Sequence, residues 1–228
     1  MGLDMYLERM PRYEDTTATQ VSAIEDYLQW KHDRENPESP ARKYTFKQWC
    51  GRDYKDVPKG KVLKFYKEHA KYAYASWDTE QKYNRRYRLL EEVGYWRKAN
   101  QIHNWFVEHV QDGEDDCRYH NEVTKEDLEE LLDLCEKIKS IAVMESAPIE
   151  TGYSYSNGKM TPIYEDGALI VNVEKIAALL PRTSGFFFGG DGYDSYYMQD
   201  IENTIDIITK VLETTDFETQ MVYYVSSW

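Results

Sequence analysis

The two ends of this chain are patterned as strands, while the stretches between them repeat with helical spacing. Residues 2–8 set Leu3, Met5 and Leu7 against Asp4, Tyr6 and Glu8. Alternation with a period of two buries one face of a strand. The tail, FETQMVYYVSSW, is rich in β-branched and aromatic residues and reads as a second strand. Pairing the two closes the chain on itself. In between, Ile201, Thr204, Ile205, Ile208, Val211 and Leu212 recur every three or four residues over 195–213. Leu128, Leu131, Leu132, Cys135, Ile138 and Ala142 do the same after Thr124, where Thr124 and Asp127 have the spacing of a capping box. The pattern predicts an α+β fold: a mostly helical single domain over 1–228, with a small antiparallel sheet pairing the N- and C-terminal strands.

Further helices are expected over 17–32, 61–76 and 174–180. The segment 91–110 reads as one continuous helix. On a wheel of 100° per residue it puts Trp96, Asn100 and His103 in one stripe beside the apolar face. Pro37, Pro40, Pro58, Gly51 and Gly60 mark a loop-rich basic and aromatic insert at about 31–60. Asn157-Gly158 and Asp166-Gly167 are hairpin signals within 150–173.

Charge is segregated along the chain. The net charge is −13, made of −4 over residues 1–30, +8 over 31–98 and −17 over 99–228. The basic stretch is interleaved with rings, among them Tyr44, Phe46, Trp49, Tyr54, Phe65, Tyr66, Tyr72, Tyr74, Trp77, Tyr83 and Tyr87. Cations hold phosphates and ring faces stack on bases, so this mixture suits a nucleotide-like ligand. It equally suits a solvated basic surface over an aromatic core. A net-acidic chain repels a long polyanion, which argues against duplex nucleic acid as partner.

No run approaches the roughly 20 apolar residues of a membrane helix. MGLDMYLERM carries Asp4 and Glu8 and no cationic leader, and Cys50, Cys117 and Cys135 are sparse and scattered. Both features lead us to expect reduced thiols in a cytosol.

The chemistry-bearing candidates are few. Trp96, Arg97, Asn100 and His103 supply a stacking ring, a charged fork, an amide and an imidazole. Either they line a ligand site, or Asn100 and His103 are satisfied where a helix crosses its neighbours. The segment TSGFFFGGDGYDSYY (183–197) sets glycines before a helix, with Asp194 or Ser195 as N-cap. It lacks the Lys-Ser/Thr of a phosphate loop and the GxGxxG spacing. Phe187 and Tyr193 in this segment are candidate ligand contacts. Cys117-x-x-His120 is half of a zinc pattern without its second half, so no metal is called for. Neither GxSxG nor HExxH occurs, and no catalytic residue or cofactor is assigned.

The blocks GLDMYL (2–7), EVGYWRKANQIHNWFVEHVQDGEDDC (92–117), VTKEDLEELLDLC (123–135), LLPRTSGFFFGG with YDSYY (179–197) and DFETQMVYYVSSW (216–228) together resemble a family of uncharacterised proteins of bacteriophages, prophages and gut-type bacteria. The resemblance implies a phage-linked origin and residence in the cytoplasm of a bacterial host cell. By its motifs it points to Trp96, Arg97, Asn100, His103, Trp105, Phe187, Tyr193 and Asp194. In that setting the expected function is counter-defence: binding and sequestering a nucleotide-derived immune signal without turnover, with a homo-oligomer compatible. Two alternatives are a phosphoester-processing enzyme using His103 and Arg97, and an acidic inhibitor of a host protein.

Overall fold

The computed structural model describes residues 2–74, 85–115, 121–156, 158–185 and 188–228. Strands β1 (Asp4–Pro11), β2 (Lys71–Tyr74), β3 (Arg85–Arg88), β4 (Glu91–Arg97), β5 (Asn121–Val123), β6 (Met144–Ser156), β7 (Lys159–Ile170) and β8 (Gln220–Ser227) are interspersed with seven α-helices among the described residues. These are α1 (Ala18–Glu35), α2 (Phe46–Cys50), α3 (Lys61–His69), α4 (Asn100–Val110), α5 (Lys125–Ile141), α6 (Val173–Ala177) and α7 (Ser195–Thr214). The fold is α+β. The N- and C-terminal strands pair in an antiparallel sheet ordered β4-β1-β8-β5, and β2-β3 and β6-β7 form two-stranded ribbons.

The chain divides into two compact units. The first comprises residues 1–6, 94–214 and 224–228; the second comprises 7–93 and 215–223.

In the second unit α1 starts at a full capping box, with Thr17 and Gln20 bonding each other's backbone N–H. Its apolar side joins Phe46, Val57, Tyr66, Leu89 and Tyr223 in one core. Glu25 is buried on the same helix. Its carboxylate accepts the backbone N–H groups of Leu89 and Leu90, and burial raises its pKa. The insert expected as loops is built of short helical turns, because Ser39 and Thr45 cap Pro40–Lys43 and α2 respectively. Helix α3 ends at His69, and β2 (Lys71–Tyr74) replaces a further part of the helix expected over 61–76, whose residues 75 and 76 lie outside the described residues.

In the first unit α5 packs on α7. Leu128, Leu131, Cys135 and Ile138 are buried on α5 and Ile201, Thr204, Ile208 and Val211 on α7, all on the stripes expected from sequence, and Tyr197 is buried with them. Thr124 and Asp127 form the capping box. The continuous helix expected over 91–110 is not present. Residues 91–97 form β4, and only from Asn100 is the chain helical. Burial alternates along β4, with Gly94 and Trp96 inside and Tyr95 and Arg97 outside. Gly94 weakens a helix interior, Val93, Tyr95 and Trp96 favour a strand, and pairing in the sheet decides the outcome. Lys98 makes the reversal in left-handed conformation at φ 61°.

Candidate functional site

Because Trp96 sits on a strand and Asn100 and His103 on a helix, the predicted stripe does not exist as one surface. Trp96 is buried, and its indole N–H donates to Thr204 Oγ1 at 2.9 Å. Arg97 points the other way. It is largely exposed, with its guanidinium 3.8 Å from Asp4. Tyr95, its neighbour on that face, donates to the same carboxylate at 2.6 Å.

Asn100 is fully buried at the start of α4. Its amide nitrogen donates to the carbonyls of Phe188 (3.2 Å) and Gly190 (2.9 Å), and its oxygen accepts the N–H of Thr183 (3.3 Å). The residue therefore clamps the glycine-rich loop to the helix. Gly189 allows the close approach. Its φ is +92°, and a Cβ there would lie 3.1 Å from the Lys98 carbonyl oxygen.

His103 is 1% exposed. Its Nε2 lies 3.1 Å from Asp115 Oδ2 and its Nδ1 2.7 Å from the Tyr224 hydroxyl. The carboxylate only accepts, so Nε2 carries the proton, and Nδ1 accepts from the Tyr224 O–H. Burial lowers the imidazole pKa while Asp115 opposes the shift. Trp228 donates to the same Asp115 oxygen at 2.9 Å, and the Phe188 ring stands edge-on to the imidazole at 5.2 Å.

Tyr193 accepts the backbone N–H of Arg182 at 2.9 Å. Asp194 caps α7 by accepting the N–H groups of Tyr196 (2.9 Å) and Tyr197 (3.2 Å). Phe187, Cys117 and His120 lie outside the described residues. Among the described residues no group of three potential ligands is placed to hold a metal ion, and no helix is long and apolar enough to cross a membrane.

Asn100 and His103 thus meet around the loop that carries Phe188, whereas Arg97 stands apart from them. Polar groups of Trp96, Asn100, His103, Tyr193 and Asp194 bond to the protein itself. Sequence reasoning missed a second buried cluster. Arg182 donates to Gln101 at 2.9 Å and lies 3.6 Å from Asp200, Gln101 donates to Asp200 at 3.0 Å, and the guanidinium sits 5.1 Å from the Tyr197 ring centre. Burial pushes the Asp200 carboxyl up to about 6. The signal was available: Asp200 is three residues from Tyr197 and four from Thr204, on the inward stripe of α7.

Trp77 and Tyr83 of the basic aromatic stretch lie outside the described residues, and its described rings differ in burial. Phe46 and Tyr66 are core residues, but Tyr44, Trp49, Tyr54 and Tyr72 are exposed. Thr45 and Gln48 cap α2, and the rings of Tyr44 and Trp49 form a tilted pair, centres 6.3 Å apart and 33° from parallel. Arg42, Lys43 and Lys47 around them are exposed. Arg52 is engaged with Asp26 at 2.6 Å, and Lys47 has a carboxylate, Asp53, no nearer than 3.7 Å. Residues 42–55 hold five cations and one acid in a chain of net charge −13. The arrangement can hold an anion and stack a planar ring.

The chain matches no protein-family model, no curated protein and no solved structure.

Proposed function

We propose that the chain binds a small nucleotide-like ligand and retains it without turnover, through the Tyr44/Trp49 pair and the cations beside it. In a phage setting this amounts to counter-defence by sequestering a nucleotide-derived signal. The single observation behind the reading is that Tyr44 and Trp49 are both exposed in a stretch where Arg42, Lys43 and Lys47 are exposed too. A base can stack on an exposed aromatic face whatever its sequence identity. Arg42, Lys43 and Lys47 supply point charges and a planar fork for phosphate. The enzyme reading asks His103 and Arg97 to act together. The imidazole is enclosed with both nitrogens engaged, and Arg97 is on the outer face of β4, which favours binding over catalysis.

The test is native mass spectrometry of the full chain with cyclic and linear nucleotides, with the ligand recovered after denaturation. Intact ligand supports sequestration. Stacking of one base contributes ~1–3 kcal/mol, so Trp49→Ala weakens binding about 5- to 150-fold, and Lys43→Glu with Lys47→Glu weakens it further. Recovery of a converted product overturns the reading in favour of an enzyme. No retained mass across the panel overturns it in favour of the acidic-inhibitor reading, which rests on the net charge of −17 over residues 99–228.

A further inference from the structure

Helix α1 brings a further cation to the surroundings of Tyr44. The indole N–H of Trp30 donates to the Tyr44 carbonyl at 3.3 Å. The same ring packs on Phe46, the first residue of α2, with centres 5.7 Å apart, and both residues are buried. Trp30 therefore fixes to α1 the segment that carries Tyr44 and Trp49. One turn further along α1, Arg34 lays its guanidinium over the indole, 4.6 Å from the ring centre. The two contacts together hold the guanidinium within about 10 Å of the Tyr44 carbonyl.

Arg34 is exposed, and its contact with Trp30 engages the face of the guanidinium rather than its N–H edge. Among the described residues no carboxylate forms an ion pair with it, although Asp33, Glu35 and Glu38 are near in sequence; Asp33 instead accepts from Gln29 Nε2 at 2.9 Å. A guanidinium stacked on a ring keeps its fork of donors for an acceptor, and less side-chain freedom is lost when that acceptor arrives. Arg42 and Lys43, also exposed, flank Tyr44 from a different element, the turn Pro40–Lys43. Cations thus come to Tyr44 from two separately anchored elements. A nucleoside has no anion for either of them, a monophosphate engages one, and a ligand with two phosphate groups engages both.

We propose, resting on the Tyr44/Trp49 reading, that Arg34 grips a phosphate of the ligand and that the site takes a nucleotide with two phosphate groups, one held by Arg34 and one by Arg42 and Lys43. The guanidinium fork accepts two phosphate oxygens side by side, which the point charge of a lysine does not do. Arg34 is a binding residue here and Trp30 a positioning residue: the indole sets where the fork stands and ties it to the backbone of Tyr44. The base stacks on an exposed ring, a contact that any base can make, so the number of phosphates rather than the identity of the base sets the preference of the site.

The test is isothermal titration calorimetry of the full chain at roughly 0.05 M salt with adenosine, AMP, ADP and cyclic diadenylate. We expect ADP or cyclic diadenylate to bind at least about tenfold tighter than AMP. Arg34→Ala removes that margin and leaves adenosine binding unchanged, and Arg34→Lys, which keeps the charge without the fork, recovers only part of it. The circular dichroism spectrum of both variants is unchanged because Arg34 is exposed. Trp49→Ala weakens every probe. A wild-type chain that binds none of the four overturns the Tyr44/Trp49 reading, and the role of Arg34 falls with it. Binding that Trp49→Ala weakens but whose margin survives Arg34→Ala leaves that reading standing and overturns the role of Arg34 alone. Equal affinity for AMP, ADP and cyclic diadenylate overturns the two-phosphate ligand. An Arg34→Ala loss as large for adenosine as for ADP makes Arg34 a support for Trp30 and overturns the phosphate contact.

Discussion

Replacing Tyr224 by Phe removes a buried hydrogen bond to His103. The Tyr224 ring lies stacked on Phe106, centres 4.1 Å apart and 10° from parallel, and a phenylalanine ring keeps that contact. What disappears is the O–H that Tyr224 donates to His103 Nδ1 over 2.7 Å. The imidazole has no way to compensate. Asp115 holds the proton on Nε2, so Nδ1 stays an acceptor without a donor in a site that is 1% exposed. A buried polar atom left unpaired costs about 1–3 kcal/mol, and the substitution leaves little cavity, so we expect a loss of about that size. Urea denaturation at about pH 7.5 measures it as a lower midpoint at unchanged slope.

The same site has a pH signature. Burial holds the folded-state pKa of His103 below its ordinary 6.5. The unfolded chain therefore takes up a proton that the folded chain resists. The stability contributed by this group is complete above 6.5 and declines as pH falls below it, at no more than about 1.4 kcal/mol per pH unit. Wild type should lose this increment between about pH 7 and pH 5 relative to His103→Gln. A Tyr224→Phe loss under about 0.5 kcal/mol, or parallel pH profiles for wild type and His103→Gln, would refute the reasoning.

Asp200 works with the opposite sign. Its folded pKa is raised to about 6 from 3.8, so its contribution favours folding below the unfolded value and is lost as pH rises through about 6. Two pKa units amount to at most about 3 kcal/mol, so Asp200→Asn should gain stability relative to wild type between about pH 4 and pH 7, and parallel profiles in that range would sink the assignment. Arg97→Ala removes an exposed ion pair at 3.8 Å and an exposed contact with Tyr95, so thermal denaturation should show a change of no more than about 1 kcal/mol, and nucleotide retention should be unaffected. Loss of retention in that variant would return the ligand site to β4.

Elements whose pattern is local were legible in the sequence. Helix α5 announces itself by Thr124, Asp127 and four inward positions, α7 by its stripe, and the terminal strands by their alternation. The segment 91–110 misled because Trp96, Asn100 and His103 satisfy helical spacing as well as they satisfy a strand followed by a helix. The reversal at Lys98 needs a left-handed residue, and lysine carries no turn signal. The partners of the candidate residues were equally hidden. Asn100 finds carbonyls 88 and 90 residues away, and His103 finds a hydroxyl 121 residues away. No spacing rule reaches that far.

The sequence by itself determined the α+β class, the closure of the two ends in one sheet, and the concentration of cations and rings between residues 31 and 98. These follow from periodicity and charge, which each residue carries wherever it is placed. Tertiary structure alone decided which polar groups are available. It turned Trp96, Asn100 and His103 inward onto Thr204, the carbonyls of Phe188 and Gly190, Asp115 and Tyr224, and left Tyr44, Trp49 and much of the β6–β7 ribbon exposed. The reason is that burial and hydrogen bonding are settled by long-range partners, and a buried polar side chain takes whichever partner the fold brings to it.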